Sequence, residues 1–202
     1  MPDEVVAVLP AEVARQLDER IRSSCLLLLA IASQCARLSE EARTDSLTGL
    51  LNRRGLQEHL LRETDRVNRY ARPLAVLMVD VDHLKSVNDL HGHESGDAVL
   101  VATAGRLRNS VRRTDVVGRW AGDEFVVICP DTDAMAAHEL ATPVVESGQG
   151  PVPLPKARTR LPISLSAGWA IAVRGQGPRA VIASADGALY RAKAGGRARA
   201  SA

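Results

Sequence analysis

The sequence predicts an α+β domain with an antiparallel sheet, preceded by a long N-terminal helix. Three observations support this prediction. Residues 11–42 contain no Pro or Gly, the run 74–79 is apolar enough for a buried strand, and Gly122-Asp123 separates two short β-prone runs. A Gly-Asp pair in that context is typical of a hairpin, because such turns need positive φ.

Hydrophobic periodicity and turn residues place the other elements. After the long helix the predicted order is helix, then β-α-β-β-α-β-α, which is a ferredoxin-like or palm-type arrangement with helices largely on one face of the sheet. Pro143 is expected to interrupt one helix, and the segments 91–96 and 147–162 are expected to be irregular. The predicted helices are 56–70, 83–89, 97–112, 132–145 and 179–194, and the predicted strands are 74–81, 115–120, 125–129 and 163–173.

Residues 1–44 are predicted to form a helical stalk, and residues 45–202 a globular domain. Apolar residues in the stalk alternate in steps of four and three, which is the coiled-coil period, although Ser24 interrupts it. The run 26–29 is apolar on all sides, which favours dimerisation over packing on the chain's own domain, and both remain open. The repeating positions are Leu17, Ile21, Ser24, Leu28, Ile31, Cys35, Leu38 and Ala42.

Composition limits the partners and the compartment. A net charge of +2 over 202 residues predicts no binding to nucleic acid or membranes. The three cysteines form no CxxC pair, which argues against a disulfide framework. Asp3 and Glu4 stand where a signal peptide carries Lys or Arg, and the run 25–32 is far shorter than the roughly 20 residues of a membrane span. A cytoplasmic protein is expected.

Acidic residues end one predicted strand and occupy the predicted hairpin turn. Asp80 and Asp82 follow the apolar run 74–79, and Asp123 and Glu124 lie at the turn. Carboxylates in such positions are suited to divalent cations, which prefer oxygen ligands. If the two segments lie side by side they form a divalent-metal site; the alternative is a solvated hairpin tip.

An ordered set of motifs resembles the GGDEF family of diguanylate cyclases. The match spans about residues 45–200, follows the family's order of motifs and leaves the stalk outside. The matching segments are Asp45-Ser-Leu-Thr-Gly-Leu-Leu-Asn-Arg-Arg54, Val79-Asp-Val-Asp-His-Leu-Lys85, Asn88-Asp89, Gly92-His93, Gly96-Asp97, Arg119-Trp-Ala-Gly-Asp-Glu-Phe125, Ser166-Ala-Gly168, Ala185-Asp-Gly-Ala-Leu-Tyr-Arg-Ala-Lys193 and Gly196-Arg197.

The resemblance implies a reaction and a set of catalytic groups. Family members join two GTP molecules into cyclic di-GMP and release two pyrophosphates, and each subunit of a homodimer presents one nucleotide. The resemblance implies that Asp80, the carbonyl of Val81 and Asp123 hold two Mg²⁺ or Mn²⁺ ions. Asp123 is also the position that assists deprotonation of the ribose 3′-hydroxyl, and Lys85 stabilises charge in the transition state.

By the same resemblance, Asn88 and Asp97 read the guanine of GTP, His93 is a further substrate-side residue, and Lys193 and Arg197 bind the phosphates. A carboxylate accepts hydrogen bonds from guanine N1–H and N2–H₂, which disfavours ATP. Asp97 is also a candidate N-cap, and a continued helix would place Lys193 and Arg197 on one face. A zinc pair of His91 and His93 would need cysteine or acidic partners that the neighbourhood does not suggest.

Two features concern regulation and activity. Arg112 and Asp115 match the family's RxxD element, which binds cyclic di-GMP and represses its synthesis. Ala121 replaces the first Gly of the signature, which is costly only if the backbone there needs positive φ or the phosphates pass close by. The chain is therefore interpreted as a diguanylate cyclase. The alternative is an inactive GGDEF module that binds GTP or cyclic di-GMP as a signalling domain.

Overall fold

The computed structural model describes residues 11–41, 43–155 and 160–202, except for the side chains of 11–14, 16–18 and 35–41. The chain divides into two compact units, Met1–Ala42 and Arg43–Ala202. The first contains one helix, α1 (Ala11–Glu41). This description leaves out residues 1–10, Ala42 and residues 156–159 of the predicted irregular segment. It also leaves out the side chains at the stalk positions Leu17, Cys35 and Leu38.

In the second unit, helices pack on a five-stranded sheet with the order β2-β3-β1-β6-β7. All pairs are antiparallel except β6 with β7. The predicted α+β class is confirmed. The elements are α2 (Arg53–Tyr70), β1 (Leu74–Val81), α3 (Leu84–His91), α4 (His93–Ser110), β2 (Val116–Ala121), β3 (Glu124–Pro130), α5 (Ala134–Gly148), β4 (Gly150–Pro153), β5 (Arg160–Ile163), β6 (Leu165–Ile171), α6 (Pro178–Ala194) and β7 (Ala200–Ser201).

The central strand β1 is covered on both sides. All eight of its residues are buried. Side chains at its odd-numbered positions join a core with α3, α4 and α5, and those at 74, 76 and 78 join a second core with α2 and α6. The expectation that the helices lie largely on one face is therefore wrong. A continuous apolar run, without alternation, is typical of a strand buried on both faces.

The segment around Pro143 differs from its prediction. Helix α5 runs through Pro143 to Gly148. Proline removes one hydrogen bond to the carbonyl four residues earlier, but Pro143 and Glu139 are both exposed, so water can satisfy that carbonyl. The buried side of α5, which includes Val144 and Val145, stabilises the helix.

The segments after α5 and after β1 are also more regular than predicted. Part of 147–162 forms β4 and β5, which pair with each other, and the predicted strand 163–173 is divided at Ser164. The predicted loop 91–96 is wrong as well. Helix α3 runs to His91 and α4 begins at His93, so Gly92 is the only residue between them.

Gly168 sets the distance between β6 and α6. A Cβ atom added to Gly168 would collide with the backbone of α6 at Ala185 and Leu189. The strand and the helix therefore meet backbone to backbone, which only glycine permits. This contact fixes the height of α6 above the sheet, and with it the position of Lys193 in the last turn of the helix.

Replacing Gly168 with alanine tests this contact. We expect Gly168→Ala to lower the free energy of unfolding by about 1–3 kcal/mol, because helix and strand must separate. Gly105→Ala is the matched control, since Gly105 is exposed in α4 and a Cβ there meets nothing within 4 Å. The control should be neutral, or stabilising by up to about 1 kcal/mol. Urea unfolding measures both, and equal stabilities would contradict the close approach.

Candidate active site

Strand β1 and the β2–β3 hairpin bring the acidic segments together. Asp80 lies opposite Glu124 in the register between β1 and β3. The next residue, Val81, donates its backbone N–H to the carbonyl of Asp123 at 3.2 Å. The end of β1 therefore lies directly beside the hairpin turn.

The turn itself consists of Gly122 and Asp123. Gly122 has a φ of 46°, in the left-handed region that glycine adopts without steric cost. Ala121 ends β2 and is not among the described residues with positive φ. Its Cβ therefore adds no backbone strain, and the replacement of the first signature glycine is compatible with the hairpin.

Arg119 ties the hairpin to the segment that follows the stalk. Its Nε donates to the carbonyl of Gly122 at 2.9 Å, and its terminal nitrogen lies 3.3 Å from the Asp45 carboxylate. Asp45 also accepts hydrogen bonds from the backbone and the hydroxyl of Thr48, at 2.9 and 2.7 Å. Burial by itself would raise the pKa of Asp45. The hydrogen bonds from Thr48 and the charge of Arg119 outweigh burial and hold this pKa below its ordinary value. The start of the globular unit is thereby fixed to the signature turn.

Several carboxylates at the end of β1 interact electrostatically. The side chain of Asp80 is 7% exposed, and Lys193 Nζ lies 2.8 Å from its Oδ2. Burial raises the pKa of Asp80, the hydrogen bond from Lys193 opposes this, and the charge of Asp123 adds to it. Burial also raises the pKa of Glu124, with further contributions from Asp80, Asp123 and Asp186. One lysine thus faces a group of carboxylates.

The donors at this end of the sheet fit a cation carried by a nucleotide. Among the described residues, no group of three or more His, Cys, Asp or Glu side chains could hold a metal ion by itself. Mg²⁺ is usually held by one or two carboxylates together with substrate phosphates. Two carboxylates and one carbonyl, from Asp80, Asp123 and Val81, are the hard oxygen ligands that such an ion prefers, and their mutual repulsion favours a cation there.

The end of α6 agrees with the predicted helix 179–194, and the helix does not continue to Arg197. The helix stops at Ala194, and Arg197 lies beyond it with a φ of 59°. Lys193 and Arg197 therefore do not share a helical face, and that expectation is wrong. Gly196, with a φ of 117°, reverses the chain instead. The turn brings Arg197 Nε to 4.0 Å from Asp82 Oδ1, next to the acidic end of β1.

Helices α3 and α4 form a second part of the site. Asn88 is half-buried in α3, and its side chain lies so close to Gly96 that a Cβ there would collide with it. Asp97 follows Gly96 and is exposed within α4, so the N-cap interpretation of Asp97 is wrong, because Gly92 is the N-cap. His93 is the first residue of α4 and is exposed. These three predicted substrate-binding residues thus lie at one corner between two helices.

Lys85 lies between the two parts along the chain. It is exposed in the first turn of α3, two residues after His83. His83 has a φ of 60°, so the backbone turns sharply between the end of β1 and the start of α3. The turn places Lys85 in the chain directly after the acidic end of the strand.

Arg112 and Asp115 lie away from the acidic end of β1, at the opposite end of β2 from the signature turn. The backbone N–H of Arg112 donates to the Asp115 carboxylate at 2.9 Å. They lie at the start of β2, roughly 20 Å of extended strand away from the signature turn. A cavity of about 550 Å³ opens there, and its lining includes Thr44, Gly49, Leu50, Leu51, Arg108, Arg112, Arg113 and Asp115.

Two acidic residues near this end of the sheet have contacts that the sequence analysis did not predict. Asp82 is buried and accepts hydrogen bonds from Ser164 and Ser166. Asp186 raises the pKa of Glu124. Its spacing was an available signal, since Asp186 lies seven residues before Lys193, two turns along the same face of a helix. No comparable signal pointed to the serines, which approach through the sheet.

A family model described as "Diguanylate cyclase, GGDEF domain" matches residues 42–199. The chain belongs to the GGDEF-domain family. All the predicted catalytic, metal, substrate and RxxD residues lie within this match. The fold class and the family resemblance predicted from the sequence are both confirmed.

Named GGDEF proteins are similar over most of the chain. Diguanylate cyclase DgcP of Pseudomonas aeruginosa is 38% identical over 183 residues, which are 91% of this chain and 27% of DgcP. The coiled coil and GGDEF domain of Caulobacter crescentus DgcB, solved with cyclic di-GMP, has a TM-score of 0.80 at 26% identity and covers 92% of this chain and 98% of that one. Diguanylate cyclase SiaD of P. aeruginosa, solved with its activator SiaC, has a TM-score of 0.77 at 33% identity, with 94% and 72% covered.

The similarity extends over only part of the longer relatives. The chain spans 27% of DgcP and 25% of an uncharacterised signalling protein of Caulobacter vibrioides that is 40% identical to it. Among the described residues, no helix has the length and apolar character that a membrane span requires.

Proposed function

We propose that the GGDEF domain condenses two GTP molecules into cyclic di-GMP and releases two pyrophosphates. The observation that carries this proposal is the meeting of Asp80, Val81 and Asp123 at one end of the sheet, with Lys193 Nζ 2.8 Å from Asp80. Such a site offers anionic oxygens for cations and a fixed ammonium group for phosphate. A polyphosphate nucleotide is the substrate class that uses both.

Asp80, the carbonyl of Val81 and Asp123 would hold two Mg²⁺ or Mn²⁺ ions, which supply neutralisation of phosphate charge and acidification of the ribose 3′-hydroxyl. Asp123 accepts the proton of the 3′-hydroxyl while the 3′-oxygen forms a bond to the α-phosphorus of the second GTP. The bond from the α-phosphorus to pyrophosphate breaks in the same step. Asp123 lies in a two-residue turn whose backbone Arg119 holds through the carbonyl of Gly122.

The cationic residues bind the phosphates. Lys193 and Arg197 contact the β- and γ-phosphates, and Lys85 stabilises charge on the departing pyrophosphate. Lys193 is a third exposed and Arg197 about half exposed, which leaves both open to a ligand. When a cation replaces Lys193 beside Asp80, the ammonium group is free to turn toward phosphate.

The α3–α4 corner selects guanine. Asn88 and Asp97 bind the guanine edge, and His93 lies beside them on the guanosine side. A carboxylate accepts from guanine N1–H and N2–H₂, whereas adenine presents no such pair of donors. The site therefore prefers GTP over ATP, because ATP would leave polar groups unpaired.

Two copies of the domain must face each other, since each contributes one nucleotide. Helix α1 supports dimerisation, because it exposes apolar side chains that water does not favour. Those described as exposed are Ile21, Leu26, Leu27, Leu28, Leu29 and Ile31. We propose that α1 pairs with α1 of a second copy as a coiled coil and sets how the two sites face each other.

The compartment is also part of the proposal. Cys25 and Cys129 are free thiols, the state expected in the reducing cytoplasm, where the proposed substrate GTP is made. We therefore place the domain on the cytoplasmic side.

A second candidate is a GGDEF module that binds GTP or cyclic di-GMP without turnover. Ala121 favours it, because the signature loses a glycine where phosphates approach. The ordinary backbone at Ala121 and the retained Asp80, Asp123 and Lys193 favour the enzyme.

We also propose that cyclic di-GMP binds at Arg112 and Asp115 and represses synthesis. Three arginines line the adjacent cavity, and guanidinium groups bind phosphate or a guanine edge through paired hydrogen bonds. Asp115 already holds the backbone of Arg112, which fixes the base of the arginine side chain.

Replacing Asp123 tests the reaction. We expect Asp123→Asn to reduce cyclic di-GMP formation by about 100-fold or more, because a proton acceptor and cation ligand are lost together. Purified protein is incubated with GTP and Mg²⁺, and products are separated by chromatography and identified by mass. Asp65→Asn, at an exposed position of α2, should leave the rate unchanged. Tight GTP binding without turnover in the unaltered protein would instead support the second candidate.

Removal of α1 tests its proposed role in dimerisation. A fragment of residues 43–202 should be monomeric by light scattering. Its rate should rise with the square of protein concentration, because dimerisation then limits turnover. Within the full chain, Ile21→Glu with Leu28→Glu should have the same effect, whereas Arg20→Ala should not. A fragment that stays dimeric and fast would rule out the coiled coil.

The inhibitory site is tested by Arg112→Ala. This variant should raise the plateau of cyclic di-GMP severalfold and leave the initial rate unchanged, because product no longer represses synthesis. Arg69→Ala, at an exposed position at the end of α2, is the control. An unchanged plateau would argue against repression at this site.

A further inference from the structure

A buried carboxylate, Asp82, lies beside the proposed cation ligands without being one of them. Its side chain is 0% exposed. It accepts hydrogen bonds from the hydroxyls of Ser164 and Ser166, both at 2.8 Å, and from the backbone N–H of Ala198 at 3.3 Å. A buried carboxylate is costly unless such bonds satisfy its oxygens, so this network holds Asp82 in one position.

The turn after α6 needs support of this kind. Gly196, Arg197 and Ala198 have consecutive positive φ values of 117°, 59° and 51°. The left-handed conformation is sterically unfavourable for a residue with a side chain. Two such residues in sequence persist only where the surrounding structure holds them. Arg197 is one of the two.

Hydrogen bonds from both sides hold the turn. The N–H of Ala198 is shared between Asp82 and the Ser166 hydroxyl, which lies at 3.2 Å. On the α6 side, the N–H of Arg197 donates to the carbonyl of Ala192 at 3.2 Å. The Asp82 network is therefore the link between the turn and the end of β1, where Asp82 follows Asp80 and Val81.

We infer that Asp82 is a positioning residue that holds the 196–198 turn so that Arg197 meets the phosphates of a nucleoside triphosphate. This inference rests on the proposed function, since it takes Arg197 as a phosphate ligand. Asp82 itself touches no substrate. Its oxygen lies 4.0 Å from Arg197 Nε, and the arginine is 49% exposed, so the far side of the guanidinium remains open to phosphate.

The test uses the full chain and two ligands, a non-hydrolysable GTP analogue and GMP. Asp82→Asn keeps the shape of the side chain but turns one acceptor into a donor. It should weaken binding of the triphosphate analogue by about tenfold, as expected for loss of a hydrogen bond to a charged group, and leave GMP binding unchanged. GMP lacks the phosphates that Arg197 binds, so it reports on the guanine site alone.

A double-mutant cycle separates positioning from other roles. If Asp82 acts through Arg197, Asp82→Asn should weaken triphosphate binding no further in an Arg197→Ala background. Additive losses would overturn the inference, because they would mean that Asp82 acts independently, for example on a bound cation. An unchanged affinity in Asp82→Asn would overturn it too.

Hydrogen exchange gives a readout without ligand. The Ala198 amide should exchange about tenfold faster in Asp82→Asn, because its hydrogen bond is weakened. Ser166→Ala should accelerate hydrogen exchange of the same amide. It provides the test if Asp82→Asn does not fold. Ser184→Ala, at an exposed position of α6 where the hydroxyl bonds only the Ala180 carbonyl, is the matched control and should change nothing. Unchanged exchange in both site variants would overturn the inference.

Failure of the proposed function is separately visible. A protein that makes no cyclic di-GMP but shows the non-additive cycle disproves the cyclase and supports the role of Asp82. A protein that makes cyclic di-GMP but shows additive losses supports the cyclase and disproves the role of Asp82.

Discussion

Repulsion among the carboxylates at the end of β1 is the constraint on which the rest of the structure depends. Two unit charges about 4 Å apart repel by roughly 4 kcal/mol at an effective dielectric constant of about 20. Burial raises the pKa values of Asp80 and Glu124, the charge of Asp123 adds to both shifts, and the charge of Asp80 adds to that of Glu124. Lys193 lies within hydrogen-bond distance of Asp80. Such a group is typical of a functional site, and in the proposed function cations brought with a nucleotide would supply the missing positive charge.

The sheet imposes this closeness. Strand β1 is buried by helices on both faces, so a shift of its register by one residue would exchange the two cores. The same register sets Asp80 opposite Glu124 on one neighbour and Ser166 on the other. Arg119 then fixes the hairpin turn, and Gly168 lets α6 approach closely enough for Lys193 to reach Asp80. Packing far from the acids therefore determines their positions.

The sequence predicted the parts of the site that lie on local patterns, such as the apolar run of β1 and the Gly122-Asp123 turn. It failed where tertiary contacts decide the outcome. Asp97 is a residue type that often caps helices, but α4 begins earlier, at His93, with Gly92 as its N-cap. Helix α5 continues through Pro143, because Pro143 and Glu139 are exposed and water can satisfy the freed carbonyl. The hydrogen bond from Ala198 to Asp82 joins residues 116 positions apart, and no local pattern predicts it.

The central claim is that Asp80 and Asp123 hold shared cations when a nucleotide is bound. The most direct measurement is anomalous scattering from crystals of the full chain grown with Mn²⁺ and a non-hydrolysable GTP analogue. The account predicts manganese peaks between the carboxylates of Asp80 and Asp123, in contact with the carbonyl of Val81 and with phosphate oxygens. Manganese bound only elsewhere, with these two carboxylates facing no ion, would contradict it.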